Sequence, residues 1–191
     1  MKTKTIPITS NQAVSIEQIS KNNKKIARTR RQRGYHWEDT IVKRFNKLEN
    51  WEAFRLGSPR VALPDILTVN NQERILFTIE AKSGTNNTLQ VPYDQISRCL
   101  KWTETFKVYK TRNVILAFKF LSKKRIGVGQ YESRELREFF KVWHKGDEIM
   151  DCVCTYEGEV YGLKEKTRFK INLKDYEMPF EIKTPRANTG Y

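Results

Sequence analysis

Apolar residues first recur at helical spacing over 35–48. Trp37, Ile41, Phe45 and Leu48 follow one another every three or four positions with Val42 alongside, which predicts a helix with one buried stripe. An extended stretch at 51–56 comes next, and Gly57-Ser58-Pro59 interrupts it, so that 55–60 reads as a basic loop. Two apolar runs, 65–69 and 74–82, flank the turn signal Asn70-Asn71 and predict a β-hairpin. After a polar loop at 83–90, Ile96, Cys99, Leu100 and Thr103 mark one face of a second helix over 93–108. The run Asn113-Val-Ile-Leu-Ala-Phe-Lys-Phe120 is short, apolar and bounded by polar clusters, as a buried strand is.

The predicted order is therefore α-β-β-β-α-β. Its closing strand-helix-strand segment needs a crossover, so the expected fold is α/β with a central mixed sheet flanked by helices. Beyond 121 the pattern weakens. A helix opened by a Ser133 cap is expected over 133–142, and short strands over 152–173 around Gly158 and Gly162. Composition divides the 191 residues into an arm at 1–32, a core at 33–121 and a C-terminal extension at 122–191 expected to pack on that core. There is no internal repeat.

Charge narrows the function classes. Thirty-six Lys and Arg stand against 22 Asp and Glu, a net charge of +14, so a polyanion is the first partner to consider, nucleic acid ahead of an anionic membrane. Seven of the thirteen residues at 21–33 are Lys or Arg and none is acidic. Such a run is either a solvated tail or a phosphate-binding arm, and the basic balance of the whole chain favours the second. No apolar run is long enough to cross a membrane and the N-terminus lacks the apolar core of a secretory signal, so a cytoplasmic protein is expected. Cys99, Cys152 and Cys154 are odd in number without C-x-x-C spacing, and the two histidines, His36 and His144, have no ligand spacing; reduced thiols and no zinc site are expected.

The segment 74–82 holds the chemistry. Strand alternation puts Ile75, Phe77, Ile79 and Ala81 on one face, and Leu76, Thr78, Glu80 and Lys82 on the other. An isolated Glu-x-Lys is more often a charge pair at a strand end than a site. Here, however, the hairpin returns Asp65, which follows Pro64, to the end that carries Glu80 and Lys82. Two carboxylates without histidine or thiolate suit a hard, oxygen-preferring cation such as Mg²⁺. Glu38 borders the buried stripe of the first helix. It reads either as a first-turn acid stabilised by the helix dipole, beside Asp39, or as a further member of the same site.

Arg33-Gly34-x-x-x-Glu38, Phe54-Arg55-x-Gly57-Ser58, Pro64-Asp65-Ile66, Ile79-Glu80-Ala81-Lys82 and Gln95 stand in the order of the motifs of the archaeal Holliday junction resolvases. Ala117-Phe118-Lys119-Phe120 matches the following strand, and residues 30–120 thus resemble that family's nuclease core. The resemblance implies a PD-(D/E)XK (restriction-endonuclease-like) fold and an endonuclease acting on four-way DNA junctions as a homodimer, with Mg²⁺ for which Mn²⁺ can substitute. It implies that Asp65, Glu80 and the Ala81 carbonyl bind the metal, with Glu38 completing the site directly or through water. Lys82 would position the attacking water or stabilise the transition state, and Ser58 would contact the phosphate. Gln95 would border the site, and Arg31, Arg33, Arg55 and Arg60 would hold the DNA backbone. The chain departs from the family pattern at Pro59, where another small residue is usual, and in its N-terminal arm and long C-terminal extension. Two other readings stay open: a PD-(D/E)XK nuclease of restriction or repair type, and a non-catalytic basic DNA-binding protein whose acidic cluster is structural.

Overall fold

The computed structural model describes residues 10–57, 62–144, 146, 148–165 and 167–183. The first helix, α1 (Ser10–Phe45), is much longer than its apolar stripe and runs back through the basic segment. No proline or glycine stands between Ser10 and Gln32, and Ala, Gln, Lys and Arg are good helix formers, so the polar half sustains the helix. Side chains described between Ser20 and Arg28 are exposed. The apolar half packs, and Trp37, Ile41 and Phe45 have no exposed surface. Just past the helix end, the Asn46 side chain pairs with the Ala53 backbone in both directions, accepting from its N–H at 2.7 Å and donating to its carbonyl at 3.2 Å. Asn50, at φ 64°, completes the reversal into β1 (Trp51–Arg55).

β2 (Ile66–Asn70) and β3 (Ile75–Gly84) form the expected antiparallel hairpin, with Ile66 opposite Ile79 and Asn70 opposite Ile75. Arg74, at φ 58°, takes the left-handed position of the turn, and the Asn70 side chain accepts the Glu73 N–H at 3.0 Å. The stretch expected as a polar loop after β3 holds a strand, β4 (Thr88–Val91), with alternating buried and exposed residues. α2 (Tyr93–Thr105) then crosses back to β5 (Thr111–Phe120), which lies parallel to β3. β6 (Lys123–Arg125) and β7 (Tyr131–Ser133) make a small separate hairpin.

The helix expected over 133–142 is not formed. That stretch closes β7 and enters β8 (Arg137–Trp143), which pairs antiparallel with β5. Alternation decides it: Phe140 and Val142 join one side of the sheet and Trp143 the other, and β5 offers an open edge that a helix could not satisfy. β9 (Asp151–Thr155), β10 (Val160–Lys164) and β11 (Thr167–Ile171) meet the expectation of short strands near Gly158 and Gly162.

The main sheet has the order β1-β2-β3-β5-β8 and is mixed, while β11-β10-β9-β4 form a second, antiparallel sheet. Each face of the main sheet has its own core. α1 covers Phe77, Ile79, Ala81, Ile115 and Ala117; α2 and the second sheet cover Val114, Leu116, Phe118 and Phe120. Cys99, Cys152 and Cys154 are free and buried in the second core. A buried ionic knot fixes α1 to the sheet: Glu138 on β8, wholly buried, takes a bidentate bond from Arg44 at 2.7 and 3.1 Å, with Lys119 at 3.4 Å. This knot, with the Trp37 Nε1–H bond to the Ala117 carbonyl at 3.2 Å, sets the rotation of α1 and so the direction of Glu38. No described helix is long and apolar enough to cross a membrane.

Candidate active site

The hairpin brings Asp65, at the mouth of β2, beside the far end of β3. Asp65 Oδ2 accepts the Ala81 N–H at 2.9 Å, so the carboxylate is held against the strand that carries Glu80 and Lys82. The Asp65 carbonyl in turn accepts the Leu56 and Gly57 N–H groups at 2.8 and 3.2 Å, which folds the chain after β1 over the same spot. Glu80 is 1% exposed and Lys82 Nζ donates to its Oε1 at 2.6 Å. Glu38 comes from α1 on the opposite side. A methyl group placed on Gly57 would sit 3.5 Å from Asp65 Oδ1 and 3.7 Å from Glu38 Oε2, so the bare glycine keeps a gap between these two carboxylates.

The electrostatics are those of a crowded, partly dry acidic site. Burial pushes the Glu38 carboxyl up to about 7, Asp65 beside it adding to the rise and Arg55 opposing it. Burial also raises Glu80 to about 7, with Lys82 pulling down and Asp65 pushing up. For Lys82, burial lowers the pKa, but Glu80 and Asp65 outweigh it and the ammonium is held above its ordinary value. Glu38 Oε2 and Glu80 Oε2 are both buried without a hydrogen-bond partner. Buried carboxylate oxygens without donors are costly, and a cation removes that cost.

The donor type is the one a hard divalent cation prefers. Glu38, Asp65 and Glu80 supply oxygen only, and two of the oxygens have no hydrogen-bond partner. Among the described residues no three His, Cys, Asp or Glu side chains are grouped so that they could hold a metal ion as they stand. Lys82 bonds to Glu80 Oε1, and Glu80 Oε2 is left without a hydrogen-bond partner.

Two clefts flank the cluster. One, of about 310 Å³, is lined by Arg31, Glu38, Asp65, Glu80, Lys82 and Gln95 among others; the other, of about 210 Å³, lies between Tyr35, Glu38, Gly57, Asp65, Gln95 and Arg98. The structure therefore brings together Glu38, Asp65, Glu80, Lys82, Gln95 and Arg31. Arg55 lies at the rim, 3.5 Å from Asp39 and stacked over the Tyr35 ring. Arg33 lines a neighbouring groove, and its carbonyl accepts the Ser83 hydroxyl at 3.2 Å. Ser58 and Arg60 lie outside the described residues.

Arg98 and Tyr35 line the site without having been singled out in the sequence. Arg98 Nη2 approaches Glu80 Oε2 at 3.9 Å, and its Nε is buried without a partner, as is Gln95 Oε1. The signal was present: Arg98 follows Gln95 by three residues and Tyr35 precedes Glu38 by three, so each shares a helix face with a site residue.

Comparison with known proteins bears on the same segment. A solved Archaeoglobus fulgidus Hjc, described as a Holliday junction resolvase from an archaeal hyperthermophile, is similar at 19% identity over 56% of this chain and 71% of that one, with a TM-score of 0.40. No curated protein matches the chain. The sequence profile of the archaeal Holliday junction resolvase (Hjc) family matches residues 29–128, which take in α1 from Thr29 onward, the β2–β3 hairpin, α2 and β5. With more than half its length so matched, the chain belongs to the archaeal Holliday junction resolvase family.

Proposed function

We propose that this chain is an endonuclease that hydrolyses DNA phosphodiesters at four-way junctions with Mg²⁺, or Mn²⁺ in its place, held by Asp65, Glu80 and Glu38. The observation that carries this reading is the pair of buried oxygens without a hydrogen-bond partner, Glu38 Oε2 and Glu80 Oε2, set round Asp65 on a chain of net charge +14. The Ala81 carbonyl would join them as a fourth oxygen donor. A divalent cation held there supplies positive charge opposite the scissile phosphate and makes water easier to deprotonate.

The protein's own groups do the rest. Asp65 is fixed in direction by the Ala81 N–H, so the acidic group needs little rearrangement to bind. Lys82 is a cation by virtue of its short ion pair with Glu80, and it acts on the charge that develops at phosphorus rather than as a base. Arg98 and Gln95 on α2 close the opposite wall, where they hold a phosphate oxygen or the attacking water. Ser58 contacts the phosphate next to the cleaved bond. Arg31 and Arg55, with Arg33 and Arg60, hold the flanking backbone.

Two strands must be cut to resolve a junction. A homodimer with two sites at fixed separation does this by reading the shape of the branch more than its base sequence. The chain acts on DNA in the cytoplasm. The test is incubation with labelled four-way junctions of unrelated sequence and matched linear duplex, with and without Mg²⁺. Paired, symmetric nicks near the branch that need the metal are expected. Cutting of linear duplex at one short sequence would reject junction selectivity and leave the nuclease; no cutting of any DNA would reject the enzyme.

A further inference from the structure

α1 carries a second stripe besides its apolar one. Lys21, Lys24, Arg28, Arg31, Tyr35 and Glu38 follow one another at alternate intervals of three and four, the spacing that keeps side chains on one face of a helix. The inner end of this stripe is the acidic site, where Arg31, Tyr35 and Glu38 line one cleft with Asp65, Glu80 and Lys82. From Arg31 outward the stripe is basic, and Lys21, Lys24, Arg28 and Arg31 are all exposed. Between 18 and 37 the sequence holds no Asp or Glu. At the rim, Arg55 of β1 stacks 4.9 Å from the centre of the Tyr35 ring, so positive charge continues past the tyrosine to the cleft. Lys25, Ile26, Thr29 and Arg33 lie further round the helix and line the groove under the β6–β7 hairpin instead.

The direction of the stripe is fixed from its inner end. The same helix is buried at Trp37, Ile41 and Phe45 and clamped at Arg44 by Glu138, so its outer turns continue along a line that the body sets. At 1.5 Å per residue, Lys24 stands roughly 21 Å along the axis from Glu38 and Lys21 roughly 26 Å. Repulsion opposes such a stripe in water, because like charges three or four residues apart destabilise a helix and interleaved acids would stabilise it. A polyanion laid along the stripe turns that repulsion into attraction and releases the counterions of its own phosphates. Lys21, Lys24 and Arg28 precede residue 29, where the match to the resolvase family begins, so the outer stripe belongs to this chain's own extension.

We propose that the basic stripe of α1 is a rail for the paired arm of DNA that leads into the acidic site, with phosphates of the duplex against Lys21, Lys24, Arg28 and Arg31 and the cut strand entering the cleft at Tyr35. Every base of such an arm is paired, so the rail acts on backbone charge and direction and carries no base readout. At 3.4 Å per base pair, the distance from Glu38 to Lys21 corresponds to about eight base pairs of one arm. The rail thereby sets the angle at which that arm meets the carboxylates. The inference rests on the reading of the acidic cluster as a DNA-cleaving site.

The experiment is photo-crosslinking of the full chain to a four-way junction in EDTA, from an azidophenacyl group on a single introduced thiol. Cys99, Cys152 and Cys154 are buried, so the thiol of Arg31→Cys or of Lys24→Cys is the accessible one to label. Without metal no strand is cut, so the marks are independent of whether the acidic site hydrolyses DNA; that reading stands or falls on the Mg²⁺-dependent cleavage assay. The Arg31→Cys probe should mark one arm, or a symmetric pair of arms. The Lys24→Cys probe should mark the same arm about three base pairs farther from the branch, because seven residues of helix advance roughly 10 Å. In anisotropy titrations under the same conditions, Lys21→Gln, Lys24→Gln and Arg28→Gln together should lower the log–log salt slope by about 2.7. Lys43→Gln removes an exposed charge from the same helix outside the stripe and should leave the slope unchanged. Marks that coincide for the two probes, marks scattered over all four arms, or a slope that the triple substitution does not alter each overturns the rail.

Discussion

Replacing Glu38 by glutamine should make the metal-free protein more stable at alkaline pH. Glu38 is 7% exposed, its Oε2 has no hydrogen-bond partner, and burial and Asp65 together raise its carboxyl from 4.5 to about 7. The folded state therefore keeps this proton to a higher pH than the unfolded chain does. Below pH 4.5 both states are protonated and the residue is neutral to stability. Between pH 4.5 and about 7 the native state binds more protons, so stability falls as pH rises, and above about 7 the full penalty is present. A rise of this size corresponds to about 3 kcal/mol, or about 6–12 °C in Tm for a domain of this length. Glu38→Gln removes the charge, so in EDTA its Tm should exceed that of the unaltered chain at pH 8 and converge with it near pH 4.5. Adding Mg²⁺ at pH 8 should raise the Tm of the unaltered chain, which gains a ligand for its carboxylates, and raise that of the variant much less. Calorimetry that finds the variant no more stable at pH 8, or equally advantaged at both pH values, would refute the reasoning.

Asp65→Asn keeps the oxygen that accepts the Ala81 N–H but removes a ligand charge, so cleavage should fall on the order of 10²-fold or more with junction binding kept in a gel-shift assay. Gly57→Ala should leave the Tm nearly unchanged, because Gly57 is not at positive φ, yet weaken Mg²⁺ binding by calorimetry, because its methyl enters the gap between Asp65 and Glu38. Glu138→Ala leaves Arg44 and Lys119 without their buried partner and should cost about 3–5 kcal/mol in denaturant unfolding; a loss under about 1 kcal/mol would show that the knot does not fix α1. Substituting Lys24, Lys25, Arg28 and Arg31 by glutamine should flatten the salt dependence of DNA binding, with the log–log slope reduced by about 0.9 for each phosphate that is no longer neutralised.

The sequence by itself determined the centre of this protein. Alternation in 74–82 and the turn after Asn70 were enough to pair β2 with β3 and to bring Asp65 to Glu80 and Lys82, because a hairpin is a local contact whose register its turn fixes. The buried stripe of Trp37, Ile41 and Phe45 likewise declared its own helix. The polar half of α1 did not declare itself, since its described side chains between Ser20 and Arg28 are exposed and periodicity is the signal of burial. β8 was hidden for a different reason. Its Ser133 cap and mixed composition suit a local helix, and only the open edge of β5, distant in sequence, makes a strand the better partner. The gap beside Gly57, the approach of Arg98 to Glu80 and the groove under the β6–β7 hairpin also belong to the tertiary structure alone. Each is a meeting of elements from separate parts of the chain, whose spacing is set by how α1, α2 and the two sheets pack and not by any residue's neighbours in sequence.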